Sequence, residues 1–272
     1  MDTRRADDGE ILRARSYDDV AEAYERVNAP LLFEAPGRAL VEFAVLSSAE
    51  HVLDVGAGTG AVARAALAAG ANVVALDPSL PMLEAARRGG VSNAVVGSLP
   101  HLPFLDAVFD RVCCAFVMTH VDDPDAAARD MRRVLKPDGR VALSAWAAAD
   151  DPYSAAWARV AHEFAGPELL SGTAERVLPG EPRFSKPHGL SGLLEANAFR
   201  DVRTETISFT FSLSVKAMIE VREVCATGRA LRILLSDDVW EAYRARARDV
   251  LGKQFPDGVR YQRSVFIAVG SR

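Results

Sequence analysis

Cysteine is scarce here: Cys113, Cys114 and Cys225 are too few for a disulfide framework. Two of them sit side by side in "FDRVCCAFVM", an apolar run that reads as a strand, where neighbouring side chains point to opposite faces. They are expected to be buried thiols in a reducing compartment, not zinc ligands. Long apolar runs are also missing, since charge interrupts each one well short of the roughly 20 residues that a membrane span needs. There is no basic block and the net charge is -5, which argues against a nucleic-acid partner. The N-terminal "MDTRRADDGEILRARSYDD" lacks the apolar core of a signal peptide and reads as frayed. No metal triad is evident: Asp122 and Asp123 precede a proline-containing helix start and read as helix caps. Repeats, low-complexity tracts and interdomain linkers are absent. What these absences leave is a cytoplasmic globular protein without a membrane or nucleic-acid partner, a monomer or homodimer. With 272 residues, 49% of them hydrophobic, it is large enough for one elaborated domain or two small ones.

What is present is an alternation. Residues 17–46 carry two helical patterns, "YDDVAEAYERV" and "PLLFEAPGRALVEFAVL", with Pro30 expected at a helix start. "HVLDVG" then reads as a buried strand and "TGAVARAALAAG" as a helix closed by Gly70. "NVVALD" is a second strand, and "SLPMLEAARRGG" a helix opened by Ser79. "NAVVG" and "FDRVCCAFVM" are a third and fourth strand, "DPDAAARDMRRVLKPDG" a helix with a closing turn, and "RVALSAW" a fifth strand. Strands alternating with helices of this length imply an α/β fold, a parallel sheet covered on both faces. After Trp146 the regularity fails. Residues 147–185 mix helical spacing with Gly and Pro, "HGLSGLLEANAF" restores a helix, "DVRTETISFTFSL" alternates as a strand, residues 214–257 read as helical, and "YQRSVFIAVG" is a last strand. The sequence thus reads as a single domain: N-terminal helices over 17–46, a core over 47–146, and insertions at 147–185 and 214–257 that form a helical cap.

The chemistry centres on "DVGAGTG". Gly56, Gly58 and Gly60 alternate, and Gly56 to Ala61 satisfy the G-x-G-x-x-G/A spacing of dinucleotide-binding turns. Such a turn lets a ligand approach the backbone at a helix N-terminus. Asp54, two residues upstream, would repel a pyrophosphate and suit a cofactor with an ammonium and no phosphate, as in S-adenosylmethionine; it also reads as a cap of the turn. Asp77 ends the second strand, where an acid accepts ribose hydroxyls in either cofactor family; its alternative is again a cap.

"VLDVGAGTG", "VVALDPSLPMLEAA", "SLPHLPFLDAVFDRV", "HVDDPDAAARDMRRVLKPDGRVALSAW" and "HGLSGLLEANAF" follow one another in order. Together they resemble the class I S-adenosylmethionine-dependent methyltransferases, in the branch of ubiquinone/menaquinone-type and small-molecule enzymes, over residues 45–146 and less closely over 186–211. The resemblance implies a Rossmann-like, seven-stranded, mostly parallel sheet of order 3-2-1-4-5-7-6 with strand 7 antiparallel. It implies that Gly56, Ala57 and Gly58 line the methionine part of the cofactor with Asp54 beside them, and that Asp77 takes the ribose hydroxyls. Pro78 and Met82 would lie by the adenine. Ser98 stands where the family carries an acid for the adenine amino group, next to Leu99, whose backbone offers further hydrogen bonds. Phe116 would line the methionine and the transfer path.

Methyl transfer from a sulfonium is an in-line substitution in which the protein aligns the acceptor and excludes water. A base is needed only for acceptors such as hydroxyls. His120, at the carboxyl end of the fourth strand, is the candidate base; its alternative is to organise the turn into "VDDP". Tyr17 and Tyr24 are candidate acceptor contacts on an N-terminal helix that covers the cofactor in the resembling family, or else aromatic packing. The expected acceptor is a small, moderately hydrophobic molecule, a bacterial secondary metabolite of the antibiotic type ahead of a quinone precursor, with methylation at oxygen favoured. The rival readings are a non-methyl reaction such as cyclisation, and a non-catalytic cofactor-bound scaffold.

Overall fold

The computed structural model describes residues 16–148 and 151–272. The stretch expected to be frayed lies outside them up to residue 15, as do residues 149–150 of the expected cap. The described residues form two compact units. One, the sheet unit, comprises residues 17–147, 180–209 and 264–272; the other, the helical unit, comprises Ser16, Ala148 and residues 151–179 and 210–263.

The sheet unit opens with a 3-10 turn, Asp18–Val20, and a short helical turn, Ala21–Ala23. These lead into a ten-residue π-helix, Tyr24–Phe33, which continues as α1 (Glu34–Ala44). Pro30 therefore does not start a helix, as its sequence context suggests, but sits inside the π-helix. An α-register would press the proline ring against the carbonyl four residues back. The π-register moves the bonded carbonyl to five residues back, as in the donation from Glu34 N–H to the Ala29 carbonyl.

Next come β1 (His51–Val55), α2 (Ala61–Ala68), β2 (Asn72–Asp77), α3 (Leu80–Arg88), β3 (Ala94–Val96), β4 (Phe109–Ala115), α4 (Pro124–Val134) and β5 (Leu135–Trp146). Ser79 Oγ caps α3 by accepting from Met82 N–H, and Asp123 Oδ1 caps α4 by accepting from Ala126 N–H, both as expected from sequence. The helix pattern runs on through "LKPDG", but α4 stops at Val134. Leu135 already pairs with Phe109, and the register then jumps so that Arg111 faces Arg140. Residues 136–139 are extruded as a bulge, with Asp138 in the left-handed region.

In the helical unit, α5 (Pro152–Ala165) and α6 (Pro167–Val177) follow. Back in the sheet unit are α7 (Glu181–Phe184) and α8 (Gly189–Ala196), then β6 (Arg200–Leu213), which runs on from it into the helical unit at Thr210. The helices α9 (Val215–Val224), α10 (Ala226–Leu234) and α11 (Asp237–Gln254) complete the helical unit, and β7 (Val259–Ser271) ends the chain.

The seven strands form one sheet of order β3-β2-β1-β4-β5-β7-β6, with β7 antiparallel to β5, as the resemblance implies. The period of two along each strand divides the core. Val52, Cys113 and Ala142 enter the cluster that also holds residues of α1, α2 and α3, whereas Leu53, Cys114 and Leu143 enter the one with residues of α4 and α8. The adjacent cysteines thus bury on opposite faces, and burial pushes both thiols well above their ordinary range. In the helical unit, the rings of Trp157, Phe164 and Trp240 pack around buried Tyr243 at centroid distances of 6.5, 5.7 and 5.2 Å. No helix among the described residues is long and apolar enough to cross a membrane, and none of their His, Cys, Asp and Glu side chains cluster as a metal site would require.

Candidate functional site

The carboxyl ends of the parallel strands bring Asp54, Asp77, Phe116 and Trp146 to one edge of the sheet, where ligands gather in open α/β folds. The turn after β1 is tied inward. Gly56 N–H and Ala57 N–H both donate to the Leu76 carbonyl, at 2.7 and 3.0 Å, and Gly60 N–H donates to the Ala57 carbonyl at 2.8 Å. Gly58 N–H donates to Asp77 Oδ2 at 2.8 Å. Four N–H groups of the turn are therefore engaged by the protein itself. A phosphate-cradling turn instead points such groups at its ligand.

The three glycines serve different ends. A Cβ on Gly56 would lie 2.2 Å from Val117 Cγ2, so that position is closed by packing. At Gly60 a Cβ would press on Val91 and Ala86. At Gly58, with φ +54°, it would meet nothing within 4 Å, so this glycine faces open space.

Asp77 holds two turns at once: Oδ1 accepts from Ser79 N–H at 2.9 Å while Oδ2 holds Gly58. Burial pushes its carboxyl up, against the pull of those N–H groups. Asp54 is buried and its Oδ2 has no hydrogen-bond partner. Its carboxyl is pushed up to about 7, chiefly by burial, with the Ala63 N–H pulling down and the charge of Asp77 pushing further up.

A chain of rings borders the same edge. Phe116 stacks on Trp146 with centroids 4.8 Å apart, and Phe33 meets both edge-on, at 5.2 and 5.9 Å. Tyr24 stacks on Phe33 at 5.4 Å, Tyr17 meets Tyr24 edge-on at 5.8 Å, and the Tyr17 ring lies 5.9 Å from that of His120. Tyr17 Oη is 3.5 Å from His120 Nε2, the outer limit of a hydrogen bond. Phe116 takes a left-handed φ of 63°, which is held in place by its N–H donating to the Ser144 carbonyl and its own carbonyl accepting from Thr119 Oγ1. The N-terminal segment is pinned to α3 by the Glu25–Arg88 ion pair at 2.7 Å.

Residues 53–143 match the methyltransferase domain family. Over that stretch the chain is similar to S-adenosylmethionine-dependent methyltransferases. It is 37% identical over 139 residues to a demethylmenaquinone methyltransferase of Thermobifida fusca, an alignment covering 48% of this chain and 59% of that protein. It thus spans just over half the length of such curated relatives. A ubiquinone/menaquinone biosynthesis C-methyltransferase of Rubrivivax gelatinosus is 28% identical over 214 residues, covering 72% and 82% of the two chains. Among solved structures, a phosphoethanolamine N-methyltransferase 2 of Haemonchus contortus in complex with S-adenosyl-L-methionine shares the fold, with a TM-score of 0.55, 18% identity and coverage of 93% and 57%.

The methyltransferase cofactor fits this site. The orphaned, buried Asp54 Oδ2 offers an acceptor to an ammonium, the opening at Gly58 admits a ligand against the backbone, and four of the turn's N–H groups are withdrawn from a pyrophosphate. The other expected contacts are less uniform. Pro78 is exposed beside Asp77, whereas Met82 is only 2% exposed and packs inward. The apolar side chains that stand open at this corner are Leu80, 48% exposed in the first turn of α3, and Val96, 55% exposed and the register partner of Asp77. Neither was singled out in the sequence, although apolar residues flanking a polar strand end are the available signal. Ser98 is exposed and its hydroxyl makes no hydrogen bond among the described residues; Leu99 is half-buried. Tyr17, Tyr24, Phe116 and His120 come together in the ring chain, all half-buried.

Proposed function

We propose that this chain transfers the methyl group of S-adenosylmethionine to a small, planar, moderately hydrophobic acceptor bearing an ionisable hydroxyl. The observation that carries the proposal is the juxtaposition of the Asp54–Gly58–Asp77 turn with the ring chain that ends at His120. When bound, the cofactor supplies the activated methyl and its leaving group. Asp54 would pair with the ammonium, Asp77 would offer its remaining lone pairs to the ribose hydroxyls, Pro78, Leu80 and Val96 would flank the adenine, and Ser98 and Leu99 would meet its edge. Phe116, backed by the Trp146 ring, would line the methionine tail, while Met82 supports this corner from within.

His120 takes the proton of the acceptor hydroxyl, and Tyr17 orients the imidazole through its hydroxyl and ring edge. Tyr17 and Tyr24 offer ring faces and edges to a planar acceptor. Deprotonation of a ring hydroxyl serves methylation at that oxygen and equally at the neighbouring ring carbon. The oxygen reading suits a secondary metabolite of the antibiotic type. The names of the Thermobifida and Rubrivivax relatives favour the second reading, carbon methylation of a quinone precursor. The proposal includes a cytoplasmic location, supported by the free cysteines.

Incubation of the chain with methyl-labelled S-adenosylmethionine and a panel of phenols, hydroxyquinones and matched non-hydroxylated rings tests this. Labelled product from the hydroxylated members is expected, and NMR of the product separates O- from C-methylation. Tight cofactor binding with no labelled product across the panel would favour the scaffold reading, and a rearranged unlabelled product the cyclisation reading.

A further inference from the structure

A shallow groove of about 530 Å³ lies in the sheet unit, lined by Arg129, Arg132, Arg133, Asn197 and Arg272 with Ala196 and Ala198. It sits at the end of the sheet away from the glycine turn. The helix α4 leaves the carboxyl end of β4 and delivers Arg132 and Arg133, in its last turn, to the start of β5. Arg272 follows β7, whose Ser271 pairs with Arg140 near that same start.

The arginines of this protein are held in two ways. Arg64, Arg88, Arg111, Arg183, Arg232, Arg244 and Arg246 each pair with a carboxylate, and so does Arg133, with Asp106 and Asp130. The other three groove arginines donate only to neutral oxygens. Arg129 donates to Asn197 Oδ1 at 3.5 Å, Arg132 to the Ala198 carbonyl at 3.3 Å, and Arg272 to the Leu135 carbonyl. Asp125, the carboxylate bonded to Asn197 Nδ2, is also engaged by Arg183.

Two helices end at the groove, α4 at Val134 and α8 at Ala196, and each helix end carries about -0.5 charge. Their sum offsets about one of the three unpaired guanidinium charges, leaving a surplus of about two. Moreover Arg129, Arg132 and Arg133 share one helical face at spacings of three and four, where like charges repel. A dianion answers both the surplus and the repulsion, and planar guanidinium forks suit phosphate oxygens.

We propose that this groove binds a phosphate monoester, carried either by a free small molecule or by a lipid headgroup. The test titrates the full chain with glycerol 3-phosphate by calorimetry and, separately, measures co-sedimentation with vesicles of phosphatidic acid in phosphatidylcholine. Saturable binding is expected in at least one arm, lost at about 0.5 M salt and weakened tenfold or more by the double substitution Arg129→Gln/Arg132→Gln. Affinity for S-adenosylhomocysteine should be unchanged in that variant, which reports an intact fold. Binding in the first arm assigns a free phosphoester, and binding in the vesicle arm alone assigns a headgroup. Arg272→Gln alone should weaken the same binding and carries the test if the double variant does not fold. No binding in either arm, or binding that survives these substitutions, overturns the proposal.

Discussion

The N–H of Gly58 donates to Asp77 Oδ2, so the glycine turn after β1 and the acid at the end of β2 are one unit. Asp77 is then a support of the site, besides its proposed role as a ligand to the cofactor. Asp77→Ala should lower stability by about 1–3 kcal/mol, since the buried Ser79 N–H and the part-buried Gly58 N–H lose their acceptor. It should also weaken S-adenosylhomocysteine binding by about 1–3 kcal/mol. Denaturant melts and calorimetry on the same variant measure the two effects. Lost affinity with unchanged stability would mean that the contacts to Gly58 and Ser79 contribute nothing to the fold.

The glycines should separate cleanly. Gly56→Ala drives a methyl into Val117 and is expected to destabilise by about 2–4 kcal/mol, overpacking added to backbone strain. Gly58→Ala meets no protein atom and should cost about 1 kcal/mol of stability from its positive φ. Its methyl projects into the space assigned to the cofactor, so affinity should fall at least tenfold. Thermal melts paired with ligand titrations distinguish the two.

Asp54 makes the protein pH-sensitive in a defined direction. Its folded-state carboxyl is raised from 3.8 to about 7 by burial. The folded state therefore holds a proton that the unfolded state releases. The corresponding stability is fully present below the unfolded value and is lost as pH rises through about 7. At about 1.4 kcal/mol per unit the loss is on the order of 4 kcal/mol. Asp54→Asn should flatten the stability profile between pH 4 and about 7 and be the more stable protein at pH 8, as chemical melts across pH would report. Pairing with the ammonium favours the charged form. Cofactor affinity should accordingly rise with pH through about 7, with proton release on binding that the Asn variant lacks.

His120 should be separable from the cofactor site. His120→Gln is expected to lower kcat by about 10²–10⁴-fold on a hydroxyl acceptor while leaving S-adenosylhomocysteine affinity intact. Tyr17→Phe should lower it less and shift the acid limb of the pH–rate profile, since it alters the imidazole's partner and not the base itself. Steady-state kinetics over pH reads both. An unaltered kcat in His120→Gln would leave the histidine as an organiser of the turn after β4.

The sheet was legible because its signals are local. Alternating runs, Ser79 and Asp123 as caps, and the strand-facing pair Cys113–Cys114 each follow from a short window of sequence. The departures arise where tertiary structure overrides the local pattern. Pro30 is absorbed by a π-register, and "LKPDG" is recruited into β5 by pairing with Phe109. At the site, the acids and glycines were visible from their spacing, but the division of labour among Gly56, Gly58 and Gly60 depends on Val117 and Val91, distant in the chain. The exposure of Leu80 and Val96 is a property of the fold and not of any short window of sequence. The ring chain joins residues 17 to 146, and no window of sequence contains it.

The "DVGAGTG" turn is proposed to hold S-adenosylmethionine and not a dinucleotide. Competitive calorimetry of the chain with S-adenosylhomocysteine and NAD tests it most directly. Stoichiometric binding of S-adenosylhomocysteine, weakened at least tenfold in Gly58→Ala and not displaced by NAD, is the expected result. Preferential binding of NAD, or S-adenosylhomocysteine binding indifferent to Gly58, would contradict it.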